Sequence, residues 1–105
     1  MITRIWHGWT APDKADDYER LLRTDILPGI REQAGESFHG VQLLRQPGQD
    51  EVEFVTIMWF DSLDGVRKFA GDNHERAVVP DRAQAVLSRY DDTVRHYEVK
   101  EHLTP

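Results

Sequence analysis

The chain has 105 residues, 19 acidic against 13 basic side chains, and a net charge of −6 at neutral pH. That length fits a single domain, 1–105, with one modest core burying about two thirds of the unfolded surface; the acidic balance makes nucleic-acid phosphates and anionic lipid poor partners. The absence of cysteine removes disulfides, thiolate catalysis and cysteine-held metals, and fits a cytoplasmic location; no segment has a signal-peptide pattern or the ~20 apolar residues of a membrane span.

Residues 1–9, "MITRIWHGW", read as a strand built on Ile5, Trp6 and Trp9, and "TAP" ends it. Thr10 is placed as the N-cap of a helix, with Pro12 in its first turn and Asp13 set for a capping-box contact. Ala15, Tyr18, Leu22 and Ile26 recur at helical spacing, widened by Leu21. Asp13, Asp16, Asp17 and Glu19 crowd the positive end of the helix dipole, which favours them there. Pro28 lacks an amide hydrogen and crowds the carbonyl of Thr24, which predicts a kink or restart before Gly35 closes the segment. Residues 37–45, "SFHGVQLLR", form the next predicted strand. Pro47-Gly48 suits the centre of a type II turn, and "VEFVTIMWF", 52–60, follows as the second arm of a hairpin. From "FDSLDG" the period changes to about 3.6. Asp61 or Ser62 caps a helix with Leu63, Val66, Phe69 and Ala70 inward. "GDNH" interrupts it, and Pro80 starts a last helix with Ala83, Val86, Leu87 and Tyr90 inward. "DD" turns the chain into a final edge strand over 93–101.

The order β-α-β-β-α-β predicts an α+β, ferredoxin-like protomer in which helices cover one face of a four-stranded antiparallel sheet. "VEFVTIMWF" is nevertheless apolar on both sides: Phe54, Met58 and Phe60 on one, Val55, Ile57 and Trp59 on the other. A sheet with one solvated face alternates more cleanly. Either the strand is enclosed within a monomer, or a second copy covers the face the helices leave open. The second option predicts a homodimer through sheet faces, each buried large side chain contributing roughly 1.5–3 kcal/mol.

Taken together, the capped helix between short strands, the hairpin ending in "IMWFDSLDGVRKFA", the segment "HERAVVPDRAQAVL" and the closing "VRHYEV" resemble the antibiotic biosynthesis monooxygenase family of dimeric α+β barrel proteins. The resemblance spans nearly the whole chain, through hydrophobic and positional pattern. It implies a ferredoxin-like protomer, a dimer whose sheets form a barrel, and a pocket between each sheet and its helices. Members of that family convert aromatic polyketides to quinones without metal or flavin, or degrade haem; fold alone does not choose between them. The haem-degrading branch uses an asparagine on the first strand and a tryptophan and histidine on the second helix. The matching positions here resemble His7, Phe69 and Val78 or Val79, all departures, with His74 about one turn early.

His7 shares a strand face with Ile5 and Trp9. If that face looks toward the helices, a neutral imidazole there could deprotonate a phenol or hydroxyquinol; otherwise it is a histidine hydrogen-bonded within the fold. Trp9 and Trp59 could wall a planar substrate or simply pack, and Trp6, on the opposite face from His7, is assigned to the dimer core. His74 stands where the second helix breaks, at a pocket mouth or merely exposed; Phe38 and Phe69 read as core or pocket wall. His96, Glu98, Lys100 and His102 share a face of the last strand, but the lysine among them and the lack of a familiar spacing argue against a metal. No G-x-G-x-x-G, phosphate loop or nucleophile elbow occurs. The leading functional expectation is a cofactor-independent monooxygenase acting on a planar aromatic or quinol-type molecule, with His7 as base and Trp9, Trp59, Phe69 and His74 binding substrate. The alternatives are a non-catalytic dimeric module for a small apolar ligand or a stress response and, disfavoured by those departures, a haem-binding relative.

Overall fold

A computed structural model describes residues 1–105. The chain runs β1 (Ile2–Thr10), a turn of 3-10 helix at Pro12–Lys14, α1 (Ala15–Leu21), a π-helical segment at Leu22–Ile26, α2 (Leu27–Ala34), β2 (Phe38–Pro47), β3 (Val52–Phe60), α3 (Leu63–Ala70), the single turn α4 (Asp81–Gln84), β4 (Arg89–Tyr90) and β5 (Arg95–Glu98). The strand order is β2-β3-β1, with β4 and β5 both pairing on the other edge of β1. All pairings are antiparallel, so β4 and β5 together fill the fourth strand position of a ferredoxin-like α+β fold.

Register fixes which side chains look at the helices. Trp6 stands opposite Thr56 and His7 opposite Val55; opposed residues share a face and neighbours along a strand alternate. In β3 the alternation is complete: Val52, Phe54, Thr56, Met58 and Phe60 are buried, while Glu53, Val55, Ile57 and Trp59 are half-buried. The first set packs under the helices. Tyr18 lies edge-on to Phe54 at 4.8 Å, and Phe60 sits between Phe38 at 5.7 Å and Phe69 at 6.0 Å. Tyr18, Leu22, Ile26 and Ile30, the stripe expected from helical spacing and its continuation into α2, complete this core.

The helices begin and end for local reasons. Ser62 Oγ accepts the amide hydrogen of Gly65 at 3.3 Å and caps α3. A side chain at Gly65 would place its Cβ 1.8 Å from Ser37 Oγ, so only glycine lets α3 approach the end of the first helical layer so closely. At Pro28, where a kink or restart is expected, the backbone stays helical: α2 begins at Leu27 directly after the π-helical segment and carries this proline in its first turn.

Four local expectations are corrected. Thr10 ends β1, fully buried with an unpartnered hydroxyl, and caps nothing; the first helical turn follows Ala11. The hairpin turn is centred on Gln49-Asp50, with Gly48 N–H donating to Glu51 O at 2.9 Å and Pro47 still paired with Val52. The last helix is one turn long, because Tyr90 is drawn into the sheet opposite Gly8. The final strand is shorter than 93–101 and is broken. Asp91–Val94 occupy the stretch that Trp6 and His7 span on β1, and this wider loop bulges away to pair with residues 75–77: Ala77 N–H donates to Asp92 O and Val94 N–H to Glu75 O, both at 2.8 Å. No helix is long and apolar enough to cross a membrane.

Candidate functional site

A cavity of about 150 Å³ lies between the helix-covered face of the sheet and the helices. Tyr18, Leu22, Ile26 and Ile30 close it from the helical layer, Trp6, Thr56 and Met58 from the sheet floor, and Phe69, Val79 and Ala83 from the segments between β3 and β4. An apolar cavity of this size accommodates one six-membered ring. Gly8 helps to shape its floor: a Cβ there would come within 2.6 Å of the Trp6 ring, so glycine lets that indole fold along the strand.

One charged side chain is built into this floor. Arg4 stands in the middle of β1 and is 3 % exposed. Its Nη1 donates to the carbonyl of His74 at 2.7 Å and to His96 Nε2 at 3.0 Å, and its Nη2 to the carbonyl of Arg76 at 3.3 Å. The guanidinium carbon lies 5.6 Å from the centre of the Phe69 ring. Burial pulls the Arg4 pKa down to about 10, which leaves it cationic at neutral pH. His96 is pushed down to about 4, first by burial and then by the charges of Arg4 and His74, so it is neutral and can accept from Arg4. The 91–94 bulge creates this arrangement, because its pairing with 75–77 brings two carbonyls from that loop onto a guanidinium some seventy residues earlier in the chain.

The candidate residues divide between the two faces. Phe69 is in the cavity wall. His74 does not line it: its carbonyl holds Arg4, its ring lies 5.2 Å from that of His96, and its Nδ1 is buried without a partner. His7, Trp9 and Trp59 lie on the opposite, open face. The face carrying His7 does not look toward the helices, so His7 is not a base in this cavity. Its Nδ1 instead meets Glu53 Oε2 at 2.8 Å, and its side chain borders a depression lined also by Ile5, Arg95 and Tyr97. Trp9 lies near the His7 ring at 6.2 Å and is covered by the Arg89 guanidinium at 3.8 Å. Trp6, assigned to the dimer core, lines the cavity. At the end of the last strand Glu98 pairs with Lys100 just beyond it at 2.6 Å, and no group of three potential metal ligands is assembled anywhere. Arg4 was missed. Its signal was available: it interrupts the face made by Ile2, Trp6 and Gly8, a charge in the middle of an apolar row.

Structure comparison finds this architecture in proteins of low sequence identity. A protein from Bacillus cereus assigned as an antibiotic biosynthesis monooxygenase superposes with a TM-score of 0.64 at 15 % identity, over 99 % of this chain and 97 % of that one. A conserved protein from Methanosarcina mazei gives 0.64 at 13 % identity, over 94 % and 92 %. The haem-degrader MhuD from Mycobacterium tuberculosis, with two haems bound in its active site, gives 0.62 at 16 % identity, over 99 % and 100 %. No protein-family model and no curated protein matches the sequence.

A haem does not fit the residues present here. The cavity has room for one ring rather than a tetrapyrrole, and no imidazole lines it. His96, which touches the Arg4 of the cavity wall, spends its Nε2 lone pair on that guanidinium. At these identities the likeness is one of fold: the chain has the ferredoxin-like α+β architecture of these monooxygenase-type and haem-degrading proteins.

Proposed function

We propose that the chain is a cofactor-independent monooxygenase of the antibiotic biosynthesis monooxygenase type, acting on a single-ring, electron-rich phenol or quinol held beneath the helices. The observation that carries this reading is the cavity itself: about 150 Å³, walled by Trp6, Phe69, Met58 and Tyr18 and roofed by the helical layer. Planar apolar walls orient a ring. A substrate that has lost its hydroxyl proton is electron-rich enough to give one electron to oxygen. Recombination of the two radicals forms a carbon–oxygen bond at a ring C–H position. Collapse then leaves one oxygen atom on the ring as a quinone carbonyl and releases the other as water, with the C–H and O–H hydrogens.

The reading includes a homodimer. The open face presents Ile5, Trp9, Val55, Ile57 and Trp59, all half-buried, beside Leu44 at 45 % and Tyr97 at 48 % exposure. Such an apolar row across four neighbouring strands favours a second copy over water. A second functional reading, a dimeric binding module without catalysis, is favoured by one observation: no carboxylate and no imidazole lines the cavity to take a proton.

Aerobic incubation of the metal-free protein with monocyclic hydroquinones and with larger anthrones, following quinone absorbance and oxygen uptake, separates the two. Turnover of monocyclic substrates is expected. Binding without turnover across the panel would favour the non-catalytic module.

A further inference from the structure

Resting on the reading of the cavity as a ligand site, we propose that Arg4 is an oxyanion-binding residue, and that the ligand is a single ring carrying an anionic oxygen function, a carboxylate or a phenolate or enolate. The argument begins with what Arg4 lacks. A guanidinium has five N–H donors and no acceptor. Three of those donors have protein partners: two on Nη1 and one on Nη2. The partners are two carbonyls and a neutral imidazole, so the positive charge itself meets no carboxylate. None of the ion pairs in the molecule includes Arg4, although the chain carries 19 acidic residues. Burying a charge without a countercharge is costly, and a buried arginine is ordinarily paired.

The donors left over are not scattered. They are Nε–H and the remaining hydrogen on Nη2, and these two nitrogens form one edge of the guanidinium. That edge is the fork that takes two oxygens, or two lone pairs of one oxygen, side by side. Arg4 belongs to the cavity wall, with the Phe69 ring beside it and Trp6 two residues along the same strand face. A second polar group, the Tyr18 phenol, also lies in the wall. Tyr18 is 1 % exposed and burial raises its pKa, so it stays protonated and able to donate. An anionic ring in the cavity thus meets a fixed cation, a bidentate edge and a neutral phenolic donor within apolar walls. His74 and His96 are positioning groups for Arg4: they hold Nη1 and leave the other edge free. For the oxidation proposed above, the same contact would favour the ionised phenol and so supply what a general base would otherwise have to do.

The test is calorimetric titration of the wild-type protein with benzoate, 4-hydroxybenzoate and the neutral isostere benzyl alcohol. Arginine Nε–H resonances are followed in parallel by NMR. The two carboxylates are expected to bind at least tenfold more tightly than benzyl alcohol, and to shift the Arg4 Nε–H signal where benzyl alcohol does not. Arg4→Met should erase the preference; Arg4→Lys, which keeps the charge and loses the fork, should retain part of it. The Nε–H measurement needs no variant, so a failure of Arg4→Met to fold leaves the test standing. Equal affinity for charged and neutral rings, or carboxylate binding that leaves Arg4 Nε–H unshifted, would overturn the assignment of Arg4 while leaving the cavity as a ligand site. If no ring of either kind bound, both the assignment and the cavity reading would fall.

Discussion

The two faces of this sheet are made by alternate residues of the same strands, yet they are different surfaces. The helix-covered face of β1 and β3 is almost fully buried at Arg4, Gly8, Thr10, Phe54, Thr56 and Phe60, and it encloses a cavity containing a cation. The open face carries three of the five candidate residues, His7, Trp9 and Trp59, in half-buried positions, with an ion pair between His7 and Glu53. What separates them is the source of burial. Helices from the same chain seal the first face and can be shaped around a small ligand, whereas the second can be covered only by another molecule. Aromatic residues alone do not mark the ligand site, because both faces have them. The buried, unpaired charge occurs on one face only.

Substitutions on the two faces should therefore fail in different ways. The largest effect is expected at Phe54, which is fully buried against Tyr18: Phe54→Ala should cost about 3–5 kcal/mol in urea unfolding and abolish ligand binding with it. On the open face, Ile57→Glu should weaken dimerisation by at least a hundredfold in analytical ultracentrifugation while leaving benzoate affinity in the monomer within about threefold. A wild-type monomer at micromolar concentration would remove the proposed role of that face. Gly65→Ala should cost about 1–3 kcal/mol, since α3 must retreat from Ser37; an unchanged urea midpoint would show that this contact yields freely.

His96 gives a smaller, pH-dependent effect. Its pKa is about 4 in the fold against an ordinary 6.5, so between those values the unfolded chain binds a proton that the folded chain does not. Stability should be fully present above pH 6.5 and decline as pH falls from 6.5 toward 4. In His96→Gln, whose amide oxygen can still accept from Arg4, the decline in melting temperature between pH 6.5 and 4.5 should be shallower than in the wild type. Parallel curves would mean that His96 titrates as it does in the unfolded chain. The smallest effect is expected of His7→Ala: no change in turnover or ligand affinity beyond about twofold, because its imidazole lies on the other side of the sheet from the cavity.

Much of the fold was legible because its determinants are local. The helical spacing of Ala15, Tyr18, Leu22 and Ile26, the Ser62 cap and the proline after the π-helical segment each act within a turn or two. The assignment of faces was not legible, because β3 is apolar on both sides and its own pattern cannot say which side meets the helices. The last helix was overestimated for a related reason: Ala83, Val86, Leu87 and Tyr90 have helical spacing, but the free edge of β1 takes Tyr90 as a strand partner. The site was read least well. Arg4 becomes a buried cation only when carbonyls about seventy residues away are folded against it, and no local pattern contains that contact.

The most direct test is a crystal structure of the protein with 4-hydroxybenzoate. The expected result is the ring under the helices between Trp6 and Phe69, with an anionic oxygen on the Nε–Nη2 edge of Arg4. A ring seated on the open face beside His7 and Trp59, with the cavity unchanged, would contradict it.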